Sequence, residues 1–109
     1  MDVEWSIFAS KQLVKITKYV ADNFGYKTAD KTLDKLVDKA NSLARYPEAS
    51  TIDYDLSDDE FTVRHTLVLP NAMYYVIKGD CIIVAAVMHS KQSPETIRGS
   101  VKRALEQYR

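Results

Sequence analysis

With 109 residues, zero formal net charge and a pI near 6.7, the chain is sized for one domain over residues 1–109, and it lacks the basic excess that nucleic-acid or membrane-surface binding draws on. Its single cysteine, Cys81, excludes an internal disulfide and fits a reducing compartment. No stretch approaches the ~20 apolar residues of a membrane span, and the acidic N-terminus lacks a signal-peptide pattern, so a soluble, cytoplasmic protein is expected.

In chain order, residues 2–7 alternate, with Val3, Trp5 and Ile7 on one side and Glu4 and Ser6 on the other, which predicts a half-buried strand. From about Ala9 the period becomes helical: Leu13, Ile16, Val20 and Phe24 form an inner stripe, with Lys11, Lys15 and Lys18 outside. Gly25 is expected to stop this helix as a left-handed cap. A second helix, from about Lys27 to Arg45, has the stripe Ala29, Leu33, Leu36, Val37, Ala40 and Leu43, and Pro47 forbids its continuation. Its alternating Asp30, Lys31, Asp34, Lys35, Asp38 and Lys39 read as a solvated face. Two amphipathic helices with a short joint make a hairpin that needs a sheet to cover.

Residues 48–60 carry six acids and no Lys or Arg. Ile52, Tyr54 and Leu56 alternate with Asp53 and Asp55, which predicts a short strand ending in a turn at Ser57-Asp58-Asp59. The acids lack calcium-loop spacing, so no metal site is expected, nor a small-molecule cofactor. Residues 61–94 hold three β-rich runs separated by turn signals at Pro70-Asn71 and Gly79-Asp80. The last run, Cys81 to Met88, is apolar throughout, as a strand covered on both faces would be, and Cys81 reads as a small core residue. Its end is polar: His89-Ser90-Lys91-Gln92. Ser93-Pro94-Glu95 then starts a helix whose stripe is Ile97, Val101, Ala104 and Leu105. The order is β-α-α-β-β-β-β-α, an α+β fold with a small, mostly antiparallel sheet, a helical hairpin on one face and a C-terminal helix.

This order resembles the RelE/ParE superfamily of toxins from type II toxin–antitoxin modules. The resemblance runs through the opening Val3-Glu4-Trp5-Ser6 and the helical hairpin, then Arg64, the aromatic strand Met73-Tyr74-Tyr75-Val76-Ile77 and the Gly79-Asp80 turn, to the closing Ala86–Pro94 stretch. It implies a mixed sheet, an antitoxin protein that wraps the toxin, and one of two activities. RelE-like members cut mRNA on the ribosome; ParE-like members poison DNA gyrase without nuclease chemistry.

Metal-free RNA cleavage needs a base, an acid and a cation at the phosphate. The candidate catalytic residues are Arg64, His89 and Lys91. Lys91, Gln92, Arg98, Lys102 and Arg103 are candidates for contact with a nucleic-acid or protein target. Three departures oppose the nuclease reading. Nuclease members resembling this chain carry an Arg at the start of the fourth strand, where Asn71-Ala72 stands, and often an acid/base group at the place of Ile97. The segment expected to meet RNA is acidic here, and acids repel the phosphate backbone.

Turn length leaves the geometry open. Two-residue turns put Arg64 and His89 on opposite sheet faces; a three-residue Pro70-Asn71-Ala72 turn unites them. His65 is expected to be a core or half-buried histidine, Arg64 equally an ion-pair partner for the acidic segment, and Tyr74 and Tyr75 packing residues. The preferred expectation is a ParE-like, protein-binding toxin neutralised by a cognate antitoxin, with gyrase as the implied target. The alternatives are a ribosome-dependent endoribonuclease and a non-toxic, antitoxin-binding remnant of the fold.

Overall fold

The computed structural model describes residues 1–109. Five strands form one sheet in the order β1-β5-β4-β3-β2, built from β1 (Asp2–Trp5), β2 (Thr51–Ile52), β3 (Arg64–Val68), β4 (Asn71–Lys78) and β5 (Cys81–His89). Only β1 and β5 pair in parallel; the other three pairings are antiparallel. The helices are α1 (Ile7–Phe24), α2 (Tyr26–Arg45) and α3 (Pro94–Leu105), followed by a 3-10 turn, Glu106–Tyr108.

The unbroken apolar run of β5 follows from its position. It lies between β1 and β4, and both of its faces are covered: the α1–α2 hairpin buries Ile82, Val84 and Val87, while α3 buries Ile83, Ala85, Ala86 and Met88. On α2, Leu36, Ala40 and Leu43 are buried as the periodicity requires. On α1 the stripe is shallower. Leu13, Ile16 and Val20 are half-buried, and Phe24, expected inside, is 65% exposed. Gly25 joins the two helices alone, with φ 91° and ψ 163°. That is positive-φ, extended backbone open to glycine, not the left-handed cap expected.

The strand expected over Ile52–Leu56 stops after Ile52, because Asp53 and Ser57 turn the chain. Asp53 Oδ1 accepts from Leu56 N, and Ser57 Oγ donates to Asp53 O (2.7 Å) and accepts from Val63 N (2.9 Å). Side chains that bond the local backbone compete with a strand ladder in this way.

Both hairpins use two-residue turns, Leu69-Pro70 and Gly79-Asp80. Between them lies an irregularity. Tyr75 faces Val84 but Tyr74 faces Ala86, which leaves Ala85 as an extra residue in β5. A bulge of this kind reverses which side chains face which way beyond it. It places His89 on the same sheet face as Arg64, although neither turn has three residues.

At the opposite end of the sheet from His89, the C-terminal residues close the α3-side core. Arg109 meets Asp58 (2.7 Å) and Glu60 (3.0 Å) and lies over the Phe61 ring (5.1 Å). Tyr108 Oη donates to Glu4 (2.6 Å), and Lys78 Nζ donates to Tyr108 O (2.8 Å). Burial and the Glu4 carboxylate push the Tyr108 phenol well above its usual range. The hydrogen bond from Arg109, together with those from the Phe61 and Glu60 backbone, holds the Asp58 carboxyl down to about 2. A depressed carboxyl stabilises the fold above its ordinary pKa, near 3.8, and that contribution drains away as pH falls to about 2. Asp58→Asn is therefore expected to flatten the loss of stability between those two pH values, read as urea midpoints against pH.

Candidate functional site

The rim at the end of β5 is assembled by residues that complete the strand where β1 ends. Ser6, the N-cap of α1, donates from Oγ to Ala85 O (2.7 Å) and accepts from Ala9 N (2.9 Å). Further along α1, Gln12 Oε1 accepts from Val87 N (2.9 Å). With no strand to pair this stretch of β5, side chains from α1 take the bonds, and they hold the helix along the strand's edge. Ser90 N donates to Pro70 O (2.9 Å), which ties the end of β5 to the β3–β4 turn.

Between α1, this rim and the start of α3 lies a groove of about 730 Å³. Phe8, Ile16, Val20 and Met88 contribute apolar wall, Tyr19 and Phe24 stand along it, and His89, Gln92 and Lys15 bring polar groups to it. Two polar side chains in its lining are more than nine-tenths buried, Asn71 (7% exposed) and Ser100 (4% exposed), and neither makes a hydrogen bond inside the protein.

The three candidate catalytic residues are not brought together. Arg64 lies opposite Tyr75, and His89 opposite Asn71, four residues along β4 and on its other side. At ~3.4 Å per residue and ~4.8 Å per strand their backbones stand roughly 17 Å apart. The Arg64 guanidinium is committed elsewhere: Nη1 donates to Glu48 O (3.2 Å) and Ser50 O (2.8 Å), tying down the chain between α2 and β2. It binds carbonyls there rather than the carboxylates expected from the sequence; the acids of 58–60 are met by Arg109 instead.

His89 is exposed, and its Nδ1 accepts from Lys91 N (3.1 Å). In the neutral ring the proton then sits on Nε2, so the solvent-facing nitrogen is a donor rather than a base. No carboxylate orients the ring, and the Lys91 and Gln92 side chains are exposed beside it.

The basic residues of α3 also divide. Arg103 falls seven residues from Thr96, on the helical stripe that Thr96 and Ser100 turn toward the groove. Arg98 and Lys102 lie on the far side of the helix, exposed to solvent. His65 is half-buried as expected, with Nδ1 3.3 Å from Asp53 Oδ2 and its ring 5.9 Å from that of Tyr74. Tyr75 is fully buried and donates from its hydroxyl to Pro47 O (2.7 Å). The half-buried Cys81 thiol is pushed up by burial and by the neighbouring Glu4 and Asp2 carboxylates.

Sequence reasoning passed over the groove and its Asn71. The signal was present: an Asn directly after Pro70, in a run otherwise suited to a strand. It was absorbed by the turn reading.

Comparison with known proteins agrees with this architecture. Residues 3–94 match the family model described as the ParE toxin of the type II toxin–antitoxin system, parDE. Among solved structures, the chain is similar to one titled as the chromosomal ParDE TA system from P. aeruginosa. The TM-score is 0.65 and the identity 16%, over 82% of this chain and 95% of that one. At that identity the likeness speaks for the fold. No curated protein matches the sequence. No helix is long and apolar enough to cross a membrane. With the family model covering most of its length, the chain belongs to the ParE toxin family of type II toxin–antitoxin systems.

Proposed function

We propose that this toxin acts by binding a protein, with DNA gyrase as its target, and that a cognate antitoxin protein holds it inactive. One observation carries the choice against RNA cleavage. Arg64 is spent on the carbonyls of Glu48 and Ser50, roughly 17 Å from the rim imidazole by strand spacing, so guanidinium and imidazole share no phosphate-sized hollow. The acidic 48–60 segment weighs in the same direction, since phosphate attraction is the main sequence-independent term in RNA binding.

The surface suits protein partners. Val14, Tyr19, Phe24 and Tyr26 stand exposed on the helical hairpin. Past His65, the partner of Thr51, the outer edge of β3 has no strand partner, and Leu67 and Leu69 are exposed beside it (55% and 72%). Apolar helix faces and free strand edges are what a disordered antitoxin covers when it folds on its toxin.

Inducing the chain is expected to arrest growth, and the double variant Arg64→Ala/His89→Ala is expected to arrest it equally. Transcript cleavage in a translation extract that disappears in the double variant would support the ribosome-dependent endoribonuclease instead. Undiminished growth on induction would support the non-toxic remnant.

A further inference from the structure

The groove between α1, the rim and α3 has a chemistry the toxin's own fold leaves unfinished. Its wall is largely apolar, yet Asn71 and Ser100, both more than nine-tenths buried, make no hydrogen bond within the protein. Neither is sealed from solvent, so each keeps a polar atom open to the groove. Buried amides and hydroxyls are normally satisfied, and those that line a groove are satisfied by whatever fills it. Charge narrows the occupant. None of the 17 residues lining the groove is acidic, while Lys15 and His89 belong to it. The helices above are basic as well: from Ile7 to Arg45 there are eight Lys or Arg against four Asp. The acids of this neutral chain are gathered instead on the 48–60 segment, where Arg109 meets Asp58 and Glu60.

We infer that this groove seats one segment of the antitoxin, an apolar stretch bearing an acidic side chain, whose carboxylate is received by Asn71 and Lys15. The inference rests on reading the chain as a toxin neutralised by an antitoxin. The apolar side chains of the segment lie against Phe8, Ile16, Val20 and Met88. Its carboxylate accepts from the Asn71 amide and faces the Lys15 ammonium, while Ser100 is free to bond the segment's backbone. Such a pair at the centre of an apolar contact sets which antitoxin fits, because a partner with Lys or Leu at that place leaves a buried amide or a cation unmatched.

The test is calorimetric titration of the full-length toxin with the antitoxin protein encoded beside it, using wild type, Lys15→Glu, Asn71→Leu and Lys102→Glu. Lys15 and Lys102 are both exposed, so reversing their charge leaves the fold intact; Lys102 lies on the far side of α3, outside the groove. The expected result is binding at least tenfold weaker for Lys15→Glu and Asn71→Leu, with Lys102→Glu within twofold of wild type. If Asn71→Leu fails to fold, Lys15→Glu against Lys102→Glu decides alone. Tight wild-type binding that Lys15→Glu leaves unchanged, or weakens no more than Lys102→Glu does, overturns the groove assignment and leaves the antitoxin reading standing. Wild type that does not bind the antitoxin at all overturns both.

Discussion

Replacing Ser6 by alanine is expected to cost about 2–4 kcal/mol, one of the largest losses available to a single small side chain in this protein. Ser6 is fully buried, and its hydroxyl makes two bonds at once, to Ala85 O and from Ala9 N. Losing an N-cap costs about 0.5–2 kcal/mol. A buried carbonyl left without a donor adds about 1–3 kcal/mol. The effect reaches past stability, since Ser6 is where β1 hands over to α1 and where α1 is pinned to the edge of β5. Urea unfolding should show a lower midpoint with an unchanged slope. A change below about 0.5 kcal/mol would mean the Ala85 carbonyl finds another donor.

Leu36→Ala is expected to cost about 2–5 kcal/mol, out of the ~5–15 kcal/mol that holds a domain together. Leu36 is 1% exposed and packs in the core formed with Met73, Tyr75 and Ile82, so truncation leaves a cavity between α2 and the sheet. Val14→Ala, on the outer side of the hairpin at 67% exposure, should change the midpoint by no more than about 0.5 kcal/mol. Similar costs for the two substitutions would contradict the packing described for the hairpin.

Much of the fold was legible because its strongest signals are local. The two-face burial of β5 was written in its unbroken apolar run, and the start of α3 in Ser93-Pro94, where Ser93 Oγ does accept from Thr96 N. The α2 stripe was sound because helical periodicity survives over 20 residues. The bulge at Ala85 was not legible, for a physical reason: in a strand buried on both faces every residue is apolar, so an inserted residue disturbs no alternation. That one residue decided whether Arg64 and His89 share a face. Two-residue turns without that bulge would have put them on opposite faces.

The candidate site was less legible than the fold, because its geometry depends on pairings distant in sequence. Nothing local says that Arg64 serves the carbonyls of Glu48 and Ser50, or that Arg109 reaches back to Asp58. Phe24 was assigned inside because it keeps the period of α1. It is the last residue of that helix, is 65% exposed, and stands at the groove instead. Residue types announced a possible chemistry at the rim; only register showed that the parts lie apart.

The most direct test is a gyrase supercoiling assay with the purified toxin in excess over the enzyme. Supercoiling of relaxed plasmid is expected to be blocked, and Arg64→Ala/His89→Ala is expected to block it as well as wild type does. Gyrase left fully active by a folded toxin that still arrests growth would contradict the proposed target.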